Sequence, residues 1–179
     1  MFIKQISNSL EAAMLFGEID VDKVETTLKK LSEGRDSSSL LQICSAKNII
    51  SPLQVFVAAE QALNAFENNT TFSDSLGLEL LCRLNAERQI EKAIKAAGLK
   101  NGKNVACLVV VSSAGRAKKH LAEIASKISM REKKIDLKKN SSSVMNHFGI
   151  TKKELETLSD LENPLEAAVI ERIALLNLS

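Results

Sequence analysis

FSDSLGLELLCRLNAERQIEKAIKAAG, residues 72–98, holds the densest apolar run of the chain and its one unusual polar constellation. Its pattern is that of two helices meeting at a polar joint. Ser73 and Asp74 can cap the orphan amides of an incoming helix. Leu76, Leu78, Leu80, Leu81 and Leu84 then spread over more than one face, so this helix requires burial on several sides. A second helix, expected from about Glu87 to Ala97, carries Ile90, Ala93, Ile94 and Ala97 at three-and-four spacing, with Gly98 placed to end it. The joint is Asn85-Ala86-Glu87-Arg88-Gln89. An Arg-Gln pair in the first turn of a helix can offer a guanidinium fork and an amide to a phosphate or a base. The structural alternative has Arg88 bridging to Glu91 or to carbonyls of the preceding helix and so fixing the angle between the two.

Upstream, Ser51-Pro52-Leu53-Gln54 combines a capping serine, proline at the first helical position and glutamine three residues after the cap, which predicts a helix to about Glu67. Leu53, Phe56, Ala59, Leu63 and Phe66 give it an apolar face, and Asn64 is the polar residue on it to watch. Nearer the start, Met1 to Ile6 reads as a short strand, Ser7 to Phe16 as a brief helix ending at Gly17, and Leu40 to Cys44 as a strand. Between them an Asp22–Glu25 box opens an amphipathic helix with Val21, Val24, Leu28 and Leu31 on one stripe, stopping at Gly34 before a polar turn at Asp36 to Ser39.

Downstream, Val105 to Val111 is a continuous run rich in β-branched residues, the pattern of a central buried strand. A helix with Ala117, Leu121, Ile124, Ala125 and Ile128 on one face follows it. Glu132 to Leu137 alternates weakly, as an edge strand guarded by lysines does, and Asn140 to Ser143 reads as a turn. Thr151 with Glu154, and Asn163-Pro164-Leu165-Glu166, open two more helices. The last of these puts Leu165, Val169, Ile173 and Leu176 on one line, while Ile170 and Leu175 point elsewhere. A terminal helix with more apolar residues than one face needs is either deeply docked or a partner surface.

A chain of 179 residues fits a single domain, and we expect one over residues 1–179. Its apolar fraction of 45% includes only six aromatics, all Phe, so the core must be aliphatic and any site for single-stranded nucleic acid must be small. The net charge of +2 is too near balance for a general nucleic-acid field. From Gly115 to Lys139, however, nine basic residues face three acidic ones, a local balance of +6 that leaves −4 for the rest. Such a segment suits a partner with phosphates, and a solvated helix and loop have the same composition. Cys44, Cys82 and Cys107 are odd in number and set in apolar runs, as buried free thiols are. With no charged and apolar leader and no membrane-length apolar run, we expect a cytoplasmic protein and no membrane partner.

Chemistry is sparsely provided. Ser112-Ser113-Ala114-Gly115-Arg116 joins a strand to a helix, a layout that can hold a phosphate with Arg116 and Lys119 as helpers, but it lacks the spaced glycines of a dinucleotide fingerprint. An ordinary strand-to-helix turn is the commoner reading. His120 and His147 have no cysteine or carboxylate neighbours at zinc spacing. A Cys107–His120 dyad is compatible with the sequence, but nothing points to an enzyme. Neither catalysis, nor a metal, nor a cofactor, nor a small-molecule substrate is expected.

The run Glu79-Leu80-Leu81, Arg88-Gln89-Ile90, Ala93-Ile94 and Gly98 resembles the signature of the small non-enzymatic subunit of the KEOPS complex, in the pattern of its archaeal members. Ala62 to Phe66 looks like that family's helix preceding the signature. Phe148-Gly149-Ile150-Thr151 with Ile170 to Leu176 looks like its closing segment. This chain carries Asn85-Ala86 where many archaeal members have Ser-Gly. The resemblance implies a subunit that binds the kinase-like subunit and captures tRNA through its single-stranded 3′ CCA end, in a complex that installs threonylcarbamoyl on an adenosine. Candidate tRNA contacts are Arg88, Gln89, Asn64 and Asn85 around the joint, with Arg116, Lys118 and Lys119 from the basic segment. Candidate partner contacts are Ile170, Arg172, Leu175 and Leu176.

The expected fold is therefore α/β, with several helices around a small mixed sheet centred on Val105 to Val111. The rival function is a protein-only scaffold that regulates the kinase-like partner without touching RNA. A weaker rival is an enzyme holding a phosphate-bearing small substrate after the central strand.

Overall fold

The computed structural model describes residues 1–33 and 40–176. In chain order the first elements are β1 (Phe2–Gln5), β2 (Leu10–Val21), α1 (Val24–Ser32), β3 (Leu40–Ser45), α2 (Pro52–Glu67), α3 (Leu76–Leu84) and α4 (Ile90–Ala97). After them come β4 (Gly102–Ser113), α5 (Ala117–Lys127), β5 (Arg131–Glu132), α6 (Ser141–Phe148), α7 (Lys152–Thr157) and α8 (Pro164–Leu175). The architecture is α/β, as the sequence predicts. The residues gather into two compact units, Met1–Ala46 with Gly98–Ile135 and Lys47–Ala97 with Asp136–Ser179.

The first unit is built on a sheet of order β1-β2-β4-β3, with β5 also pairing β2. Every ladder is antiparallel, whereas a mixed sheet was expected. The predicted central strand is indeed central: β4 lies between β2 and β3, extending three residues before Val105 and two beyond Val111. Rows of apolar side chains cross the sheet in register, such as Leu15 opposite Leu108 opposite Ile43 and Ala13 opposite Val110 opposite Leu41. Leu121, Ile124 and Ile128 join the same cluster, which is how the apolar face of α5 is buried.

Several elements differ from expectation. The brief helix predicted from Ser7 to Phe16 is instead the first half of β2. Ala12, Ala13 and Met14 are each 0% exposed, so the run is buried on both faces and has no period by which strand and helix differ. Gly17 does not end a helix: a Cβ there would lie 2.2 Å from the carbonyl oxygen of Arg131, and glycine is what lets β5 approach. The edge strand expected from Glu132 to Leu137 is the short β5, held also by the Met1 ammonium on the Glu132 carboxylate. The Asp22–Glu25 box does not form. The cap position falls on Lys23, and the Val24 amide donates to Asn101 Oδ1 at 3.2 Å. Leu28 is exposed and Leu31 buried. The predicted stop at Gly34 and the turn at Asp36 to Ser39 lie outside the described residues.

The second unit is helical. The start of α2 is as predicted, with Ser51 accepting from the Gln54 amide at 3.2 Å and Pro52 at the first position. Leu53, placed on the apolar face by the spacing, is 41% exposed, while Val55, Ala58, Ala62 and Ala65 are buried. The turn expected at Asn140 to Ser143 is instead a single 3-10 turn over Leu137–Asn140 leading into α6. Asn140 and Ser143 anchor that helix start by donating to the Ile49 carbonyl at 2.8 Å and to Asn48 Oδ1 at 2.9 Å. Thr151 caps α7 through the Glu154 amide, and Pro164 begins α8. Val144, Phe148, Ile150, Ala168, Val169 and Ile173 form this unit's core cluster, so α8 buries the line of residues that its spacing indicates.

Candidate functional site

The two helices of residues 72–98 are present, and the joint between them is built from buried polar groups. Glu79 and Arg83 stand one turn apart on α3, both 0% exposed, with Arg83 Nε donating to Glu79 Oε1 at 2.7 Å. The second carboxylate oxygen accepts the Phe72 and Ser73 amides at 2.7 and 3.1 Å, and an Arg83 terminal nitrogen donates to the Thr70 carbonyl at 3.3 Å. A buried ion pair survives only when its remaining hydrogen-bonding capacity is met. Here the loop before α3 meets it, and the loop is clamped in return. The predicted capping by Ser73 and Asp74 is replaced by this arrangement. Ser75 is the cap position without a side-chain bond, and Ser73 Oγ accepts from the Ser75 amide.

At the far end of α3, Gln54 takes the Leu84 carbonyl at 3.2 Å and the Asn48 carbonyl at 3.1 Å while accepting the Ile50 amide at 2.9 Å. Asn85 is 4% exposed, and its amide donates to the Leu81 carbonyl at 2.9 Å. His147 of α6 meets the Asn85 carbonyl at 3.3 Å. Burial moves the His147 imidazole below its usual range, against the Asn85 carbonyl and Glu87, which favour its charged form. Ala86 turns the chain at φ 48°, the left-handed region that favours glycine. That turn is why α4 starts at Ile90 and not at Glu87. The Gln89 amide donates to Glu87 at 2.9 Å, and the Gln89 carbonyl accepts from Ala93.

Arg88 and Gln89 thus precede α4 and are exposed. The Phe72 ring lies within cation–π reach of two guanidiniums, Arg83 at 4.6 Å and Arg88 at 5.3 Å from its centroid. Beside it opens a cleft of about 430 Å³ walled by Thr71 to Ser75, Leu78 and Ile90. Asn64 is exposed on α2 in the same unit.

The basic candidates belong to the other unit. Arg116 is the cap position of α5, after Gly115 at φ 79°, and Lys118 and Lys119 follow on its exposed surface. Two amides of the preceding turn are already taken, Ala114 by the Ser9 carbonyl and Arg116 by that of Ser113, both at 3.0 Å. Within the basic segment Lys119 pairs with Glu123, Lys127 with Glu33 and Lys133 with Glu18. The Lys133 contact lowers the Glu18 carboxyl below its ordinary range. On α8, Ile170 and Arg172 are half-buried, Leu175 is 44% exposed and Leu176 is 5% exposed. Arg172 donates to Glu154 at 2.7 Å, tying α8 to α7.

Sequence reading used Gln54 only as a capping-box residue and gave no role to Phe72 or to the Glu79–Arg83 pair. A signal was available for the last: opposite charges four residues apart in Glu79-Leu80-Leu81-Cys82-Arg83, on a helix whose leucines leave no polar face. The three thiols are free and buried. Cys44 and Cys107 face each other across β3 and β4, both fully buried, and their contact together with burial drives the Cys107 thiol well above its usual range. Burial pushes Cys82 to about 11. Among the described residues no group of three or more His, Cys, Asp or Glu is placed to hold a metal, and no helix is long and apolar enough to cross a membrane.

Fold and joint together define an α/β protein whose helix joint is held by buried polar groups. The chain belongs to the CGI-121 family of kinase binding proteins, whose family model matches residues 19–177. Kinase binding fits the expectation that the chain is not an enzyme. A comparison with curated proteins returns no match.

Proposed function

We propose that this chain is the non-catalytic, tRNA-recruiting subunit of a KEOPS-type modification complex, docking on the kinase-like subunit while engaging the unpaired 3′ CCA end. The observation that carries the RNA half is the joint: Arg88 and Gln89 are exposed on the turn before α4, beside a cleft of about 430 Å³ with an aromatic ring at its wall. A guanidinium and an amide at an opening of that size suit one splayed base and its phosphate. Arg116, Lys118 and Lys119 would add salt-dependent phosphate contacts. Asn85, being buried, acts by shaping the joint. For the kinase-like partner, Leu175 and the open side of α8 are the candidate contact, with Arg172 and Leu176 supporting it from within.

Titration of the purified protein into labelled tRNA with and without its last three nucleotides, across a salt range, tests this reading. Tighter binding of the intact RNA supports it. Equal affinity for both RNAs reduces any binding to the basic segment. No binding to either, with co-elution of the kinase-like subunit retained, favours the protein-only scaffold. The surface ion pairs of Lys119, Lys127 and Lys133 with Glu123, Glu33 and Glu18 speak for that second reading, because they offset part of the basic segment's charge within the chain.

A further inference from the structure

We infer that Phe72 is a positioning residue: its ring holds the Arg88 guanidinium beside the cleft, so that an unpaired nucleobase can stack on the guanidinium plane. The inference rests on the proposed RNA role of the joint and assigns a part to residues outside the signature pair. Phe16, Phe56 and Phe148 are buried, and each is at most 9% exposed. Phe72 differs from them. It is half-buried on a loop, lines the cleft, and has two cations within reach of its ring.

The support beneath that ring is elaborate for a matter of stability alone. A buried ion pair contributes little that an apolar pair of similar size would not, so Glu79 and Arg83 do not earn their place on α3 by stabilising it. Their specific effect is geometric. Glu79 holds the amides of Phe72 and Ser73, and Arg83 holds the Thr70 carbonyl while its guanidinium lies 4.6 Å from the ring centroid. Backbone and ring are thereby fixed beside the exposed Arg88, whose guanidinium lies 5.3 Å from the ring centroid. Guanidinium planes and aromatic faces are the surfaces on which unpaired bases stack. An ammonium offers no such plane.

The test uses the full chain and four proteins: wild type, Phe72→Leu, Phe72→Tyr and Arg88→Lys. For each, the ratio of affinities for intact and end-trimmed tRNA is measured alongside Tm. The inference expects Phe72→Leu and Arg88→Lys to lower that ratio about five- to tenfold, with affinity for trimmed RNA unchanged, and Phe72→Tyr to keep it. A merely structural Phe72 would change Tm or both affinities together, not their ratio. If wild type prefers the intact end and Phe72→Leu preserves that preference, the inference is overturned while the RNA reading stands. If wild type itself shows no preference, both fall. Should Phe72→Leu fail to fold, Arg88→Lys decides: an undiminished ratio there overturns the stacking role.

Discussion

Glu79 and Arg83 illustrate how a residue's type and its burial can be at odds. Each is charged and each is 0% exposed. Removing either partner leaves the other's charge without its counter-charge among leucines, so Glu79→Ala or Arg83→Ala is expected to cost about 3–5 kcal/mol in urea denaturation. The double replacement Glu79→Leu with Arg83→Met removes both charges but also the partners of the Phe72 and Ser73 amides and the Thr70 carbonyl, so it is expected to cost less than the sum of the two single changes. His147 carries a pH dependence of known sign. Its folded imidazole binds a proton less readily than the ordinary pKa of 6.5 allows, so the unfolded chain takes up more protons as pH falls through that value. The stability that His147 contributes is therefore present above its ordinary pKa of 6.5 and is lost as pH falls below it. Thermal melts between neutral and mildly acid pH should show the fall, and His147→Gln should flatten it. Ala86 stands at φ 48°, where a side chain is strained, so Ala86→Gly is expected to raise stability by about 1 kcal/mol in the same denaturation assay. At this scale the sequence displayed the joint's composition but not its inside and outside. Arg88 and Gln89 were legible as surface candidates, while Asn85 beside them is buried because its amide closes the end of α3.

Elements were legible where a local signal agreed with the tertiary outcome. Ser51-Pro52 begins α2, Thr151 caps α7, and β-branched residues mark β4. They were illegible where burial erased the period. In β2, alanines and a methionine packed on both faces mimic a helix, and only the partner strands decide. At α6 the difficulty was the opposite, since three consecutive serines give no apolar stripe, and the helix forms because Asn140 and Ser143 find partners near Ile49 and Asn48. Gly17 gives the sharpest element-level test. Gly17→Ala sets a methyl against the Arg131 carbonyl, which should detach β5 at a cost on the order of 1–3 kcal/mol. Amide exchange should then accelerate at Lys133, which donates to the Phe16 carbonyl at 3.0 Å, more than in the centre of β4.

For the whole molecule the controlling fact is that each unit is assembled from two separated stretches of chain. The helical unit needs both of its stretches. Asn140 bonds the Ile49 carbonyl and Ser143 bonds Asn48, both ahead of α2, and His147 meets Asn85 at the joint, so the stretch 47–97 is braced by residues about 60 to 95 positions later in sequence. A fragment spanning residues 47–97 lacks every one of those braces and all of the core cluster supplied by α6 and α8. Circular dichroism of that fragment should show little of the helix that the intact chain displays there. The family resemblance was legible across most of the sequence because its motifs lie in both stretches. The division into two units was not, because its crossings at 46/47, 97/98 and 135/136 fall in short connections like those between other neighbouring elements.

The strand order has one further consequence, for the timing of folding during synthesis. β2 and β3 are made early, yet neither pairs with the other; each hydrogen-bonds to β4, which follows only after the whole of α2, α3 and α4 has been translated. Until residue 113 has left the ribosome, two apolar strands wait without their common neighbour. Nascent chains paused before β4 are thus the species most exposed to aggregation, and the arrival of one strand closes the sheet from both sides at once.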